Sequence, residues 1–476
     1  MGWLDKAIAL VSPESAYRRE AWRKAYEEIR NYDAGANDHL NAGWRVVNAT
    51  AEQTDSVYRE TIRARARDLE RNSDIQESIV GAFERNVVGN GFKLQAKTTD
   101  EELNETIEKL WKEWCKPRNC DVTAQQSFNE MCRMSVRRKK VDGGIFIIKR
   151  YTRGGIVPFT LQLREVDDLD TMQQSRSGRI INGIEYNEFN RPIAYYFKNY
   201  DIHGFYSGKS DRIEADDVIF LWNKKRPSQI REMSEMSPTI SRIRDTNSYM
   251  EAVSVKERVA ACLSVFIKRQ DPTTGGIGRQ GRSGTTAAGY EGKTLSPGMI
   301  MELNPGDDVV AVNPPAQGAS AADFVRLQQR LTGSGQGISY EATARDMSQV
   351  NYSSARQGLL EDFKTYQIEQ QYLIDHMLSE IYETFLISAV LSGAISIKDF
   401  WSNKNEYLNH EWVSPGMKWI DPIKEANANK VSLETNQTTL AEIAASAGHD
   451  WKEVVDQRAR EIDYMKKKGV IEDDEG

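Results

Sequence analysis

Apolar residues along the chain fall into three textures: helical spacing, strand alternation, and a stretch with neither. Their order predicts the organisation. The first 30 residues read as helical pieces, and 31–51, with Gly35 and Gly43, as a looser stretch. Ser12-Pro13-Glu14-Ser15 offers a helix start with proline early in the first turn, and a charged run follows over 17–30. Residues 54–88 hold one glycine and no proline, and Leu69, Ile75, Ile79 and Phe83 are spaced for one helical face. Asn86-Val87-Val88-Gly89-Asn90-Gly91 closes that stretch with two glycines, a common helix stop. Further helices are predicted over 100–114 and 127–140.

The period then shifts to two. Residues 144–150, 159–163, 182–200 and 217–222 read as strands, with Asn190-Arg191-Pro192 as a turn inside the third. Ser237-Pro238 opens a helix predicted to run to about Lys268, with Ile240, Ile243, Met250, Val253, Leu263, Phe266 and Ile267 as its apolar positions. At ~1.5 Å per residue it would be roughly 45 Å long. An amphipathic helix of that length packs in a bundle or against copies of itself. Residues 271–319 are rich in Gly, Ser, Thr and Pro, with short strand candidates at 299–303 and 309–312. A helix over 321–332, a polar loop over 333–353, a second long helix over 354–389 and a helical tail over 421–468 complete the reading. No repeat of 20–50 residues is visible. The predicted fold class is α+β.

Composition narrows the function. A chain of 476 residues can hold two to four domains, and ten Trp with nineteen Tyr argue for packed structure rather than disorder. The net charge of −7 counts against a protein that grips DNA by neutralising phosphates. Cys115, Cys120, Cys132 and Cys262 have no clustered histidines beside them, so buried free thiols are favoured over a zinc site. No signal peptide is read at the start, and the sixth residue, Lys6, is not the Ser or Thr that myristoylation wants. The apolar stretch 385–397 falls short of the roughly 20 residues that span a bilayer. No membrane partner is expected.

Catalytic motifs fail on context. Gly276-Ile277-Gly278-Arg279-Gln280-Gly281 spells a dinucleotide fingerprint but follows a predicted helix instead of a strand. Gly292-Lys293-Thr294 ends like a phosphate loop, yet Ala287 stands where the first glycine belongs. Asp167-Asp168 and Asp307-Asp308 are adjacent carboxylates near turns, where Asp is common for structural reasons. The reading is of a non-enzyme with no cofactor.

Several stretches, in order and spacing, resemble the lambda-like family of tailed-bacteriophage portal proteins over about residues 60–465. They are Ala66-Arg67-Asp68-Leu69-Glu70-Arg71-Asn72 with Ile79-Val80-Gly81; Val218-Ile219-Phe220-Leu221-Trp222 followed by Arg226-Pro227-Ser228-Gln229-Ile230-Arg231; and Leu295-Ser296-Pro297-Gly298 through Asn304-Pro305-Gly306. The sharpest is Gly337-Ile338-Ser339-Tyr340-Glu341 through Asp346, then Asn351-Tyr352-Ser353-Ser354-Ala355-Arg356; Trp419-Ile420-Asp421-Pro422 also fits. Glu232 stands where the family usually has glycine.

The resemblance implies a portal architecture: an N-terminal segment and α+β wing over 1–236, a stem helix over 237–269, a small β-containing clip over 270–318, and a second stem helix over 319–338. A tunnel loop over 339–353, a wing helix and return over 354–420 and a helical crown over 421–476 follow. It implies a ring, twelve subunits in this family, at one capsid vertex of the virion, assembled in the host cytoplasm. Double-stranded DNA passes through it without sequence reading, and terminase large subunit, head–tail adaptor, major capsid and scaffolding proteins are the expected partners. Arg345, Gln349, Asn351, Tyr352, Ser353, Ser354 and Arg356 are the expected channel residues, and Arg279, Arg282, Tyr290 and Lys293 the clip contacts. A helix N-cap is the plain alternative for Asn351 to Ser354. One or both of Arg345 and Arg356 are expected to pair with a neighbouring subunit's carboxylate, Asp346 being a candidate. The competing functions are another ring-forming virion connector and a DNA-processing enzyme; the second lacks its motifs.

Overall fold

The computed structural model describes residues 12–15, 17–19, 21–22, 46–152, 154–173, 179–201, 203–261, 265–269, 307–311, 318–348, 351–416 and 422–468. The chain divides into two compact units, Met1–Thr54 and Asp55–Gly476. In the first, the described residues between 13 and 22 are helical, with Tyr17 and Trp22 exposed.

The helix expected over 54–88 is broken. α1 (Ala51–Asn72) stops at Ser73, whose backbone is extended (φ −127°, ψ 120°), and α2 (Asp74–Phe83) restarts at once. Asn72, Ser73 and Asp74 carry short polar side chains that compete with helical hydrogen bonding. Here the Asp74 carboxylate accepts from the Ile75 N–H at 2.8 Å. The apolar face survives the break, since Leu69, Ile75, Ile79 and Phe83 all lie in one core. A π turn (Glu84–Val88) leads into Gly89 and Gly91, both at positive φ.

After β1 (Lys93–Ala96), α3 (Glu101–Trp114) is capped by Asp100, whose carboxylate accepts from the Glu102 and Leu103 N–H groups. α4 (Phe128–Asp142) begins with a reciprocal Ser127–Glu130 capping box. It ends at Gly143, where φ is 92° and a Cβ would stand 2.4 Å from the Met233 carbonyl carbon.

β2 (Gly144–Arg150) is buried on both faces and divides two cores. Successive strand side chains point to opposite sides. Ile145 and Ile147 therefore join the helices in the larger core, while Phe146 and Ile148 join a smaller one. β3 (Thr160–Arg164) pairs antiparallel with β2. β4 (Ile180–Ile181), β5 (Ile184–Tyr186), β6 (Pro192–Tyr200) and β7 (Tyr206–Glu214) form an antiparallel sheet in chain order. β8 (Val218–Trp222) returns to the free edge of β2, giving the order β3-β2-β8. The Phe146 ring stacks on Phe220 at 4.1 Å and meets Phe197 edge-on at 5.0 Å, closing the smaller core.

The helix expected to reach Lys268 ends early. α5 (Ile240–Ala261) has 22 residues, a rise of about 33 Å. Val265, Phe266 and Ile267 belong instead to β9 (Val265–Arg269), paired antiparallel with β10 (Asp307–Ala311). A β-branched and aromatic run opposite Val309 and Val310 is better suited to a ladder than to a helix end. The strand expected at 309–312 is thus present as β10. The candidate at 299–303, and both glycine-rich motif matches, lie outside the described residues.

α6 (Gly318–Gln336) continues through Gly333 and Gly335, where composition suggested a loop. α7 (Tyr340–Ala344) is a further short helix inside that expected loop. α8 (Tyr352–Leu373) passes through a π turn (Ile374–Leu378) into α9 (Ser379–Ser392), so the second long helix is continuous but not regular. β11 (His410–Val413) pairs antiparallel with β1. α10 (Pro422–Glu434), α11 (Leu440–Ser446) and α12 (Trp451–Lys467) make up the helical tail.

The larger core centres on aromatic side chains. Trp114 is fully buried, stacks on Phe159 at 5.4 Å and donates its indole N–H to the Phe159 carbonyl at 2.8 Å. Trp111 meets Phe128, Tyr382, Phe385 and Trp412 edge-on. Cys115, Cys120 and Cys132 are free thiols, and burial pushes the Cys120 thiol up to about 12; Cys262 lies outside the described residues. Among the described residues no cluster could hold a metal ion, and no helix is long and apolar enough to cross a membrane. Asp167 is taken up by Arg63 and Arg67, and Asp168 by Arg164. Glu232 does not strain its turn, because its φ is not positive. Its buried carboxylate accepts from Arg231 at 2.7 and 2.9 Å and from Arg63 at 3.1 Å.

Candidate functional site

α5 and α6 form an antiparallel hairpin. Contacts run from Gln336 on Thr239 (3.0 Å) through Arg242 on Gln328 (3.2 Å) to the Tyr249 and Phe324 rings at 4.5 Å. Its base is built for close approach. A Cβ on Gly333 would stand 2.5 Å from the Thr343 hydroxyl, and one on Gly335 2.8 Å from the Thr239 methyl. Ile240, Ile243, Thr246, Thr332, Gly333 and Gln336 are buried there. Beyond the base the burial ends: no residue in 247–258 or 321–331 is buried. Phe324, Leu327 and Leu331, spaced along one helix face, are 38%, 52% and 44% exposed.

The segment joining this hairpin to α8 is tied at its start. Ser339 caps α7, its hydroxyl accepting from the Ala342 N–H. The Ser339 N–H and hydroxyl both donate to the Asp362 carboxylate at 2.6 Å, and Thr365 donates to the Gly337 carbonyl at 2.8 Å. Burial raises the Asp362 carboxyl above its ordinary value despite those donors. Within the segment, hydrogen bonds from Ser348, joined by the Tyr340 hydroxyl, hold the Asp346 carboxyl down at about 2. The Arg330 guanidinium lies over the Tyr340 ring at 5.4 Å.

The sequence-predicted residues are only partly brought together. Arg345 is the left-handed C-cap of α7 (φ 55°) and is exposed, with no carboxylate partner among the described residues. Asn351 is the N-cap of α8: its side chain accepts from the Ser354 N–H at 2.8 Å, and the Ser354 hydroxyl donates to the Asn351 carbonyl. The cap is therefore Asn351 itself, with Tyr352 and Ser353 in the first turn of the helix. Arg356 pairs with Glu425 of its own chain at 3.3 Å. Gln349, Arg279, Arg282, Tyr290 and Lys293 lie outside the described residues. What pattern reading missed is the buried charge at the hairpin base, where Lys139 and Lys140 meet Glu235. Those partners stand almost 100 positions apart in the chain, and no local spacing signals them.

Comparison with known proteins bears on the whole of this region. The chain is 25% identical over 468 residues to a probable portal protein of Halomonas phage phiHAP-1, covering 94% of this chain and 89% of that one. It is 22% identical over 439 residues to portal protein B of Escherichia phage lambda, covering 84% and 82%. Among solved structures it is similar to a chain from the neck of an empty GTA particle (12% identity, TM-score 0.45, covering 81% of this chain and 93% of that one). A chain from the virion of the native gene transfer agent is also similar (12% identity, TM-score 0.43, covering 86% and 97%). Residues 37–370, more than half of the chain, match the family described as phage portal protein, lambda family, a family of structural connectors and not of enzymes. The chain belongs to the lambda family of phage portal proteins.

Proposed function

We propose that this chain is one subunit of a ring at a single capsid vertex, the channel by which double-stranded DNA enters and leaves and the platform on which terminase and the head–tail adaptor dock. The observation that carries the reading is the family match across residues 37–370, which spans the whole α5–α6 hairpin. In this reading α5 and α6 are the stem, residues 270–318 the clip and 339–353 the tunnel loop. Residues before 236 with 354–420 are the wing, and 421–476 the crown. Stem helix 237–269 is shortened accordingly, because 265–269 is strand.

Two physical features support it. A closed ring needs each subunit to present apolar surface to its neighbours through heterologous contacts. The exposed Phe324, Leu327 and Leu331 face of α6 supplies such surface. DNA must also slide, and a chain of net charge −7 keeps the counterion-release attraction small. Contact with the duplex is assigned to the short segment 339–353 and the first turn of α8, where Asn351 and Ser354 are polar and uncharged and can touch a phosphate backbone without reading bases.

Deleting residues 340–352 tests the assignment in a phage carrying the altered gene. The proposal expects rings to form and DNA packaging or retention to fall. Normal packaging and retention of full-length genomes would remove the tunnel-loop assignment.

A further inference from the structure

The α5–α6 hairpin leaves the core from a base that joins buried apolar residues to a cluster of buried charge. Glu235 lies just before α5. One of its carboxylate oxygens accepts from Lys139 (2.8 Å) and Asn223 (2.6 Å), the other from Lys140 (2.8 Å). Its carbonyl oxygen accepts from the side-chain amide of Gln336, the last residue of α6, at 3.1 Å. Lys139 reaches on to Glu369 of α8 at 2.7 Å and lies 4.7 Å over the Tyr372 ring. The Tyr372 hydroxyl in turn bonds both backbone groups of Trp222 at the end of β8. Lys140 lies 3.7 Å over Phe83 of α2. The four charged side chains are 2%, 8%, 7% and 14% exposed for Lys139, Lys140, Glu235 and Glu369, and their charges cancel.

One residue thus joins both ends of the hairpin to α2, α4, α8 and β8. Apolar burial is non-directional and sets how closely elements pack. Charge-assisted hydrogen bonds have preferred lengths and angles and set orientation. A buried ion cluster adds little net stability over an apolar substitute, so its value lies in fixing one arrangement. We propose that Glu235 is a positioning residue whose carboxylate and carbonyl fix the angle at which the hairpin leaves the body, so that force on the outer hairpin passes into α4 and α8. The inference concerns a single chain and holds whether or not the ring reading does.

Hydrogen exchange on the full-length protein, with each variant compared in the same assembly state as the parent, tests it. Glu235→Gln removes the charge; Gln336→Ala leaves the ion cluster intact and removes the ties from α6 to the Glu235 carbonyl and to the Thr239 hydroxyl. In both, exchange over 240–261 and 318–336 should accelerate by about tenfold, the scale of a buried donor or acceptor left unpaired. Exchange over β2 (144–150) and α9 (379–392) should stay within about twofold of the parent in Gln336→Ala, since surroundings beyond a lost pair seldom couple strongly. Equal acceleration in the hairpin and β2 would make the node a general stabiliser and overturn the proposal. So would an unchanged hairpin. If Glu235→Gln does not fold, Gln336→Ala decides by the same two readings.

Discussion

The base and the outer half of the α5–α6 hairpin invert the usual distribution of residues. At the base, two lysines and two glutamates are buried or nearly so. In the outer half, Met250, Val255, Phe324, Leu327 and Leu331 are exposed. Folded chains normally bury the second kind and expose the first. The difference separates two tasks. The base is complete within one chain, because every charge has its partner there. The outer half is incomplete among the described residues of one chain, because its apolar face stays exposed there apart from the contact between the Tyr249 and Phe324 rings.

The largest effect should come from the outer half. Leu327→Asp combined with Leu331→Asp should abolish ring assembly under the proposed reading, as measured by the mass of the assembled particle. The same pair should change single-chain stability little, within about 0.5 kcal/mol per exposed site. Rings of unchanged mass would break the contrast between the two halves.

At the base the effects should be stability effects. Lys139→Ala leaves Glu235 with Lys140 alone and takes from Glu369 its lysine, and should destabilise the chain by about 3–5 kcal/mol in denaturant unfolding. A loss below ~1 kcal/mol would show that the cluster relaxes into water.

The same cluster sets a pH dependence. Burial alone would raise the Glu235 carboxyl, but the Lys140 and Lys139 ammonium groups outweigh it and hold it at about 2, below the ordinary 4.5. A depressed carboxylate stabilises the fold above its unfolded value and loses that contribution as pH falls through its folded one. The base should therefore weaken between pH 4.5 and about 2, and hydrogen exchange at 236–246 should rise in that window. Protection that stays flat from pH 5 to 2 would contradict the ion pairing.

The smallest expected effect lies at the start of α8. Asn351→Ala removes a cap and should cost about 1 kcal/mol, read as fraying of the first turn by exchange at 352–356. A loss of packaging far larger than that fraying explains would point to a DNA contact by Asn351 as well.

Local physics made most elements legible. The helix starts near 100 and 127, the double glycine at Gly89 and Gly91, and the strand run of β2 each act within a few positions, and each stands as the pattern implied. The failures share a cause. Phe266 and Ile267 suit a helix face or a strand equally, and only β10, far along the chain, decides for the strand. Gly333 and Gly335 look like loop residues, yet they lie within α6, where Thr343 and Thr239 leave no room for a Cβ. No local pattern marks Glu235, because Lys139, Lys140 and Gln336 converge on it only in the fold. The candidate loop was recognisable through resemblance, whereas its tie to Asp362 required the fold.

Electron microscopy of the purified full-length protein tests the central claim most directly. The account predicts rings, twelve-fold in their dominant class, with a central opening wide enough for a DNA duplex. Monodisperse single chains at high concentration, across several salt conditions, would contradict it.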